Sequence, residues 1–459
     1  MSTRASRPVR LRDREHRVVA LSILGLMTFI AFESFAVTTA LPVVATDLRA
    51  EQWYPLAYAA TLTTALLGMT IGGNWADCRG VSIPLAVGGS LFLAGLALCA
   101  LAPTMQVFIA GRLLQGIGGG IDSVVIYVVI AQLLPEDLRT RMLGLLTAAW
   151  LLPGIAGPLI TGLLVDLVGW RLVFIVVFAG AGASLAALLT AVRAAHPTGG
   201  TTAIIGKRGA WAGVAALGVL VLHYAGQQSP VLLTAGTGVA VIAIVAAATQ
   251  LLPRGTVRLR AGVPRLTGLR GLLGATVAST DIYLPLYLQR QLEYTPTQAG
   301  SVVAIGALGW VLGAWIQSKS RAAVGDPRIL LRATALVLLG PVTTSLFVSG
   351  LITIHSAVAG CVLMGLGMGL AYPQITAAVL SHSSESEHGT HSSGLQLAES
   401  MSQSIAIAAT GAVLTTGVAH NYVTVYALIS VIGAAALATA VALLRQGQPT
   451  PQAMSDRCV

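Results

Sequence analysis

Charge is what this sequence has least of. Only 10% of its 459 residues are Asp, Glu, Lys or Arg, against about 25% in a soluble globular chain. With 55% hydrophobic residues, it carries more apolar surface than one core can bury. Lipid must be the solvent for much of it. Cysteine is scarce too. Cys78, Cys99, Cys361 and Cys458 stand alone, with no CxxC spacing, which argues against a disulfide framework and against a metal site. HExxH, GxSxG and the Walker pattern are missing. A polytopic membrane enzyme needs a catalytic constellation of that kind near one surface, so it is the weaker class. Aromatics make up only 5%.

Apolar runs and glycine are what the chain has. Its 51 glycines suit membrane helices, which approach closely where side chains are small. A transmembrane helix needs about 20 mostly apolar residues. Fourteen runs qualify, near 18–42, 55–76, 82–102, 107–133, 142–166, 171–193, 211–226, 230–252, 268–290, 299–318, 329–350, 352–379, 394–417 and 421–444. The first follows a basic tail but is too long for a signal peptide, so it reads as a retained span.

The net charge of +10 does not point to nucleic acid, because the basic residues fall in short segments between the runs. With the N-terminus in the cytoplasm, 23 of the 27 basic residues lie on inner segments and three, Arg49, Arg171 and Arg290, on outer ones. The last, Arg112, lies inside the fourth span. That asymmetry supports the span count and an inside N-terminus.

The chain also echoes itself. GRLLQGIGGGI (111–121) in span 4 is similar to GCVLMGLGMGL (360–370) in span 12, with glycines matching at 111/360, 116/365, 118/367 and 120/369. ALP (40–42) and YLP (283–285) echo at nearly the same offset. Two six-helix halves with a two-helix insert fit this spacing. Repeated halves are a transporter signature, because alternating access rocks one half against the other. The expected units are 1–200, an insert with linkers at 201–260, and 261–459; the polar segments 194–210 and 253–267 bracket the insert.

Four stretches carry a family resemblance. GNWADCRGV (73–81) keeps Gly73, Asp77 and Gly80 of a loop pattern, with Cys78, Val81 and Ser82 where basic residues are usual. RLLQGIGGG (112–120) is similar to Arg-x-x-Gln-Gly-x-Gly. PGIAGPLITG (153–162) keeps Gly157, Pro158 and Gly162 of a Gly-Pro motif, with Pro153 and Thr161 in place of two glycines. FESFAVTTALP (32–42) aligns Glu33 with an Asp of the pattern. Together they resemble the fourteen-helix drug:proton antiporters of the major facilitator superfamily. The resemblance implies an all-α polytopic fold of two six-helix bundles plus an insert. It implies proton-coupled efflux, with a conformational latch at Gly73, Asp77 and Gly80 and an antiporter motif at Gly157, Pro158 and Gly162. Gly73 is expected to permit a tight helix exit.

Four acids lie within spans: Glu33, Asp122, Asp281 and Glu399. An acid at a helix centre costs roughly 2.5–3.5 kcal/mol on insertion scales, which argues for a reason. Burial favours the neutral carboxyl and a nearby Arg the charged one. Competition between proton, Arg112 and a cationic substrate is therefore the simplest antiport scheme. Glu33 ranks first as the coupling acid, Asp281 second and Asp122 third. Arg112, Gln115 and Asp122 share roughly an 80° arc, which predicts one polar stripe facing one direction. Glu399, near the end of its span, reads as an interfacial acid. His223 and His355 read as interfacial, and 381–394, with three His, as a cytoplasmic loop. Tyr58, Tyr283, Tyr287, Trp310 and Tyr372 are candidates for a drug-tolerant aromatic lining. The expectation is a transporter, not an enzyme, that exports amphipathic or cationic small molecules. It would be driven by the proton gradient with no cofactor, and would act as a monomer in the cell membrane with both termini inside. A transporter of one metabolite or lipid is the alternative.

Overall fold

The computed structural model describes residues 14–192, 206–225, 230–320, 323–382, 388–415 and 421–446. The expected boundary near residue 200 and Cys458 lie outside them. The described residues form fourteen α-helices: α1 (Arg14–Asp47), α2 (Tyr54–Arg79), α3 (Ser82–Ala100), α4 (Met105–Leu133), α5 (Glu136–Leu167), α6 (Arg171–Val192), α7 (Lys207–Ala225), α8 (Pro230–Leu251), α9 (Val263–Gln291), α10 (Pro296–Lys319), α11 (Pro327–Val348), α12 (Ile354–Ser381), α13 (His388–Thr415) and α14 (Asn421–Gln446). By length and composition, ten of them can cross a bilayer: α1–α6, α10–α12 and α14.

Local signals set the helix ends. Proline in the first turn of α2, α9, α10 and α11 removes an N–H that a helix start leaves unpaired anyway. Thr295 and Gln298 close a reciprocal capping box on α10, satisfying two more such donors. Several helices outrun their apolar runs. The 26 residues of α2 span about 39 Å at 1.5 Å each, against about 30 Å of hydrocarbon. One expectation is corrected by this. The stretch 73–79 is helix, not loop. Gly73 lies inside α2, where an added Cβ would meet Val124 of α4 at an ordinary 3.5 Å. The chain instead leaves α2 at Gly80, whose φ of +73° strongly favours a residue without a Cβ. The segment 381–394 is likewise mostly helical, since α12 runs to Ser381 and α13 starts at His388; residues 383–387 lie outside the described set.

Helix packing repeats at an offset of eight helices. The pairs α2/α4, α3/α4, α1/α5, α1/α6 and α3/α6 recur as α10/α12, α11/α12, α9/α13, α9/α14 and α11/α14. The echoed glycines make the closest of these contacts. A Cβ at Gly111 or Gly118 would strike the α3 backbone, and one at Gly116 or Gly120 the α2 backbone. Eight helices on, a Cβ at Gly365 or Gly369 would strike the α10 backbone, one at Gly367 the α11 backbone, and one at Gly360 the Thr343 side chain of α11. Gly118→Val and Gly367→Val are therefore each expected to lower stability by about 1–3 kcal/mol or more, since the neighbour is backbone and cannot yield. Thermal unfolding of the detergent-purified variants checks this; an unchanged Tm would contradict the packing.

Between the repeated sets, α7 and α8 pair with each other, α7 lies on both α2 and α13, and α8 reaches α13, in a core with Leu66, Ala215, Val219, Ile244, Leu397 and Met401. The two ends of the molecule differ. At the end opposite the start of α1 and the finish of α14, the Tyr54 hydroxyl donates to the Ile282 carbonyl at 2.7 Å and Gln289 Nε2 to the Thr39 carbonyl at 3.1 Å. Arg290 pairs there with Glu51, and the Thr297 amide donates to Asp166 at 3.0 Å. One apolar core runs the length of α1–α6 and takes in Ile282, Leu286, Ile407 and Tyr426. Toward the terminal end, Leu266, Leu273, Val337, Met368 and Leu395 form a core with no member from α1–α6.

Candidate functional site

Glu33 and Arg112 meet in an ion pair between α1 and α4, each only 2% exposed. Arg112 is fixed further by a bond from Nε to the Ala57 carbonyl of α2 (3.2 Å) and one from its terminal nitrogen to Gln115 Oε1 (2.6 Å). The Gln115 amide continues to Cys99 of α3 at 3.4 Å. Gly95 makes room for Gln115: a Cβ there would lie 2.7 Å from its Cγ. Four helices thus converge on one guanidinium–carboxylate pair. Taking two charges out of water costs several kcal/mol each, and only tight pairing with further hydrogen bonds repays it. Anything that cancels the Glu33 charge therefore leaves the buried charge of Arg112 uncompensated.

Asp122 does not join this network. It is fully buried, neither carboxylate oxygen has a hydrogen-bond partner among the described residues, and it faces Gly88 of α3. The expected single stripe is divided, with Arg112 turned to α1 and α2 and Asp122 to α3. The arc is shared but the depth is not, since ten residues separate them by about 15 Å along the helix. Asp281 is half-buried on α9 and takes part in no ion pair among the described residues.

A second pair, half-buried, was not expected. Glu399 does not stand alone. Its Oε2 accepts from Arg270 Nε at 2.8 Å and its Oε1 from the Tyr372 hydroxyl at 2.8 Å. Arg270 also reaches Thr376 at 3.2 Å and stacks on the Tyr372 ring, 3.5 Å from its centroid. The pair joins α9, α12 and α13. A signal for it stands in the sequence: an Arg and a Glu at similar depth on two spans of the same half. Counting Arg270 as an inner-segment charge hid it.

The Gly-Pro motif packs against α10. A Cβ on Gly162 would strike Thr297 Cα, and one on Gly300 would strike the Pro158 carbonyl. Gly157 lies instead against Phe35 and Phe32 of α1. Of the latch residues, Asp77 sits in the last turn of α2. At the distal end, Trp170 Nε1 and Arg171 both donate to Asp47 at 3.0 Å, tying α6 to α1. The candidate aromatics divide. Tyr283 is sealed in the core with its hydroxyl on the Ile407 carbonyl (3.1 Å), so it lines no open space. Tyr58 is half-buried. Tyr287 packs edge-on against Phe347 and Tyr422, and Trp310 edge-on against Tyr372.

Repeated glycine seams, a paired acid inside a helix bundle and a tight α5/α10 crossing together describe a membrane carrier. A family model for the Major Facilitator Superfamily matches residues 21–407. The chain belongs to the major facilitator superfamily. It is similar to a probable multidrug-efflux transporter of Mycobacterium tuberculosis, 29% identical over 408 residues, 82% of this chain and 83% of that one. It is also similar to the multidrug transporter protein MdtP of Bacillus subtilis, 27% identical over 426 residues, 86% and 75% of the two chains. Among solved structures, the fold is similar to the peptide transporter POT in complex with sulfate, at TM-score 0.68, 16% identity and coverage of 93% and 94%. A POT family transporter in complex with 5-aminolevulinic acid matches at TM-score 0.68, 15% identity and the same coverage. This major facilitator protein is a multi-pass membrane transporter of small molecules and not an enzyme.

Proposed function

We propose that the protein exports amphipathic or cationic small molecules in exchange for protons, by alternating access. The buried Glu33–Arg112 pair carries this reading. A proton arriving at Glu33 cancels its charge, leaves Arg112 uncompensated and alters the packing of α1, α2 and α4 at once. Asp281, half-buried on α9, serves as the second acid and as a seat for a cationic substrate; Asp122 is the third titratable group. The name of the Mycobacterium tuberculosis relative as a probable multidrug-efflux transporter supports export, as does the Gly-Pro motif at Gly157, Pro158 and Gly162.

In this reading all fourteen helices cross the bilayer as two six-helix bundles, within 1–200 and 261–459, with α7 and α8 between them. The eight-helix recurrence of the packing supports that layout. Arg270 and Glu399 neutralise each other, which lowers the cost of carrying them across. The basic residues support cytoplasmic termini. The distal contacts then close the outer face, and opening on the cytoplasmic side would part α2 from α13 across the apolar contact of Leu66 with Leu397 and Met401. The protein acts as a monomer with no cofactor beyond the proton gradient.

The test is transport in proteoliposomes under an imposed proton gradient with a panel of cationic and neutral dyes, comparing wild type with Glu33→Gln and Asp281→Asn. Gradient-driven accumulation of cationic dyes by wild type, lost in Glu33→Gln and weakened in Asp281→Asn, is the expected result. Full gradient dependence in Glu33→Gln would remove Glu33 from the coupling role.

A further inference from the structure

We infer that the Glu399 carboxylate and the ring face of Tyr372 form a seat for an organic monocation, and that Arg270 fills it as an internal stand-in for the charged group of a substrate. The inference rests on the export reading above and narrows its substrate class. The seat has the parts a cation needs. The Arg270 guanidinium carbon lies 3.5 Å from the Tyr372 ring centroid, within the range where an aromatic face attracts a cation. The same guanidinium pairs with Glu399 at 2.8 Å. Glu399 is held from its other side by the Tyr372 hydroxyl at 2.8 Å, and the ring itself is steadied by the edge of Trp310. Space has been left for this arrangement. A Cβ on Gly274 would lie 2.8 Å from Glu399 Cγ and 3.2 Å from the Tyr372 hydroxyl.

The seat and its occupant come from different helices. Glu399 and Tyr372 stand on α13 and α12, whereas Arg270 reaches in from α9 on a long, flexible side chain. Arg270 can therefore leave while the seat stays formed. Access differs between the two pairs: Arg270 and Glu399 are 15% and 19% exposed at the side chain, against 3% and 2% for Arg112 and Glu33. The charge balance suits exchange. One carboxylate and one guanidinium sum to zero, and a monocation replacing Arg270 restores that sum. A dication or an anion would not. Arg270 thus acts as a built-in competitor that sets the affinity for the incoming cation and refills the seat when it departs.

Equilibrium binding of ethidium, a planar organic monocation, and of an uncharged dye of similar size to the full-length protein in detergent tests this by fluorescence anisotropy. Arg270→Gln is expected to tighten ethidium binding about tenfold by removing the competitor, and Tyr372→Leu and Glu399→Gln to weaken it about tenfold. The neutral dye is expected to respond to none of them. If Arg270→Gln does not fold, Tyr372→Phe and Tyr372→Leu decide. The ring-retaining variant should bind within about threefold of wild type while the leucine variant loses about tenfold. Unchanged or weaker ethidium binding by folded Arg270→Gln, equal losses in the Phe and Leu variants, or no ethidium binding by wild type and Arg270→Gln alike would overturn the assignment. No proton gradient is present in this measurement, so a failure of proton coupling at Glu33 and a failure of the Arg270 seat are read separately.

Discussion

Glu33→Gln is expected to reduce gradient-driven transport to the level of protein-free liposomes while gradient-independent exchange of substrate persists. Glutamine matches the shape of a protonated glutamate and can still accept from Arg112, but it neither gains nor loses a proton. The substitution has a second consequence. Arg112 remains charged, 2% exposed, with its counter-ion gone. Removing one partner of a buried pair typically costs about 3–5 kcal/mol, so the variant should also melt at a lower temperature. The double variant Glu33→Gln with Arg112→Gln separates the two effects. It removes both buried charges, so it should recover most of the lost stability and none of the coupling. Counterflow of labelled substrate, gradient-driven uptake and thermal unfolding on the three proteins check this. Gradient-driven uptake by the double variant would show that the proton travels elsewhere.

The second large effect concerns the α5/α10 seam. Gly300→Leu is expected to hold the distal face open and stop transport altogether. A Cβ at Gly300 already strikes the Pro158 carbonyl, and one at Gly162 strikes Thr297 Cα. Both obstacles are backbone, so a leucine can be accepted only if the helices separate. Separation would also break the neighbouring bond from Gln289 to the Thr39 carbonyl. A cysteine at position 289 reports it. An impermeant maleimide should label Gln289→Cys slowly alone and rapidly when Gly300→Leu is added, with the parent chain as the blank for native cysteines. Asp166→Asn is the mild counterpart. It weakens an acceptor for the Thr297 amide at the start of α10, a loss on the scale of a helix cap, about 0.5–2 kcal/mol, and should raise labelling only modestly. Slow labelling of Gln289→Cys with Gly300→Leu would contradict the seam's role.

How much of this could be read from the residues depends on the kind of signal. The paired glycines at 111/360, 116/365, 118/367 and 120/369 pointed to a structural repeat, because a missing Cβ is a direct statement about helix distance. The structure then has them facing corresponding neighbours. Glu33 and Arg112 stood out because lipid makes an unexplained charge costly. The same logic missed Arg270 and Glu399, since both lie near span ends, where a charge looks cheap. Only the fold shows that α9 and α13 bring them together around Tyr372. Angular position on one helix was a poor guide for Asp122, because an arc says nothing about which neighbour covers each depth. The Gly80 exit was hidden for a related reason: hydropathy marks where lipid ends, whereas the helix of α2 continues to Arg79.

Proton countertransport tests the central claim most directly. Proteoliposomes would be prepared with a pH-sensitive dye inside, no imposed pH gradient and the membrane potential clamped, and an outward gradient of a cationic substrate would then be applied. The account predicts that substrate leaving through the wild-type protein draws protons inward and acidifies the lumen, and that Glu33→Gln lets substrate cross without acidification. Substrate efflux by the wild type at constant lumenal pH, or equal acidification by Glu33→Gln, would contradict it.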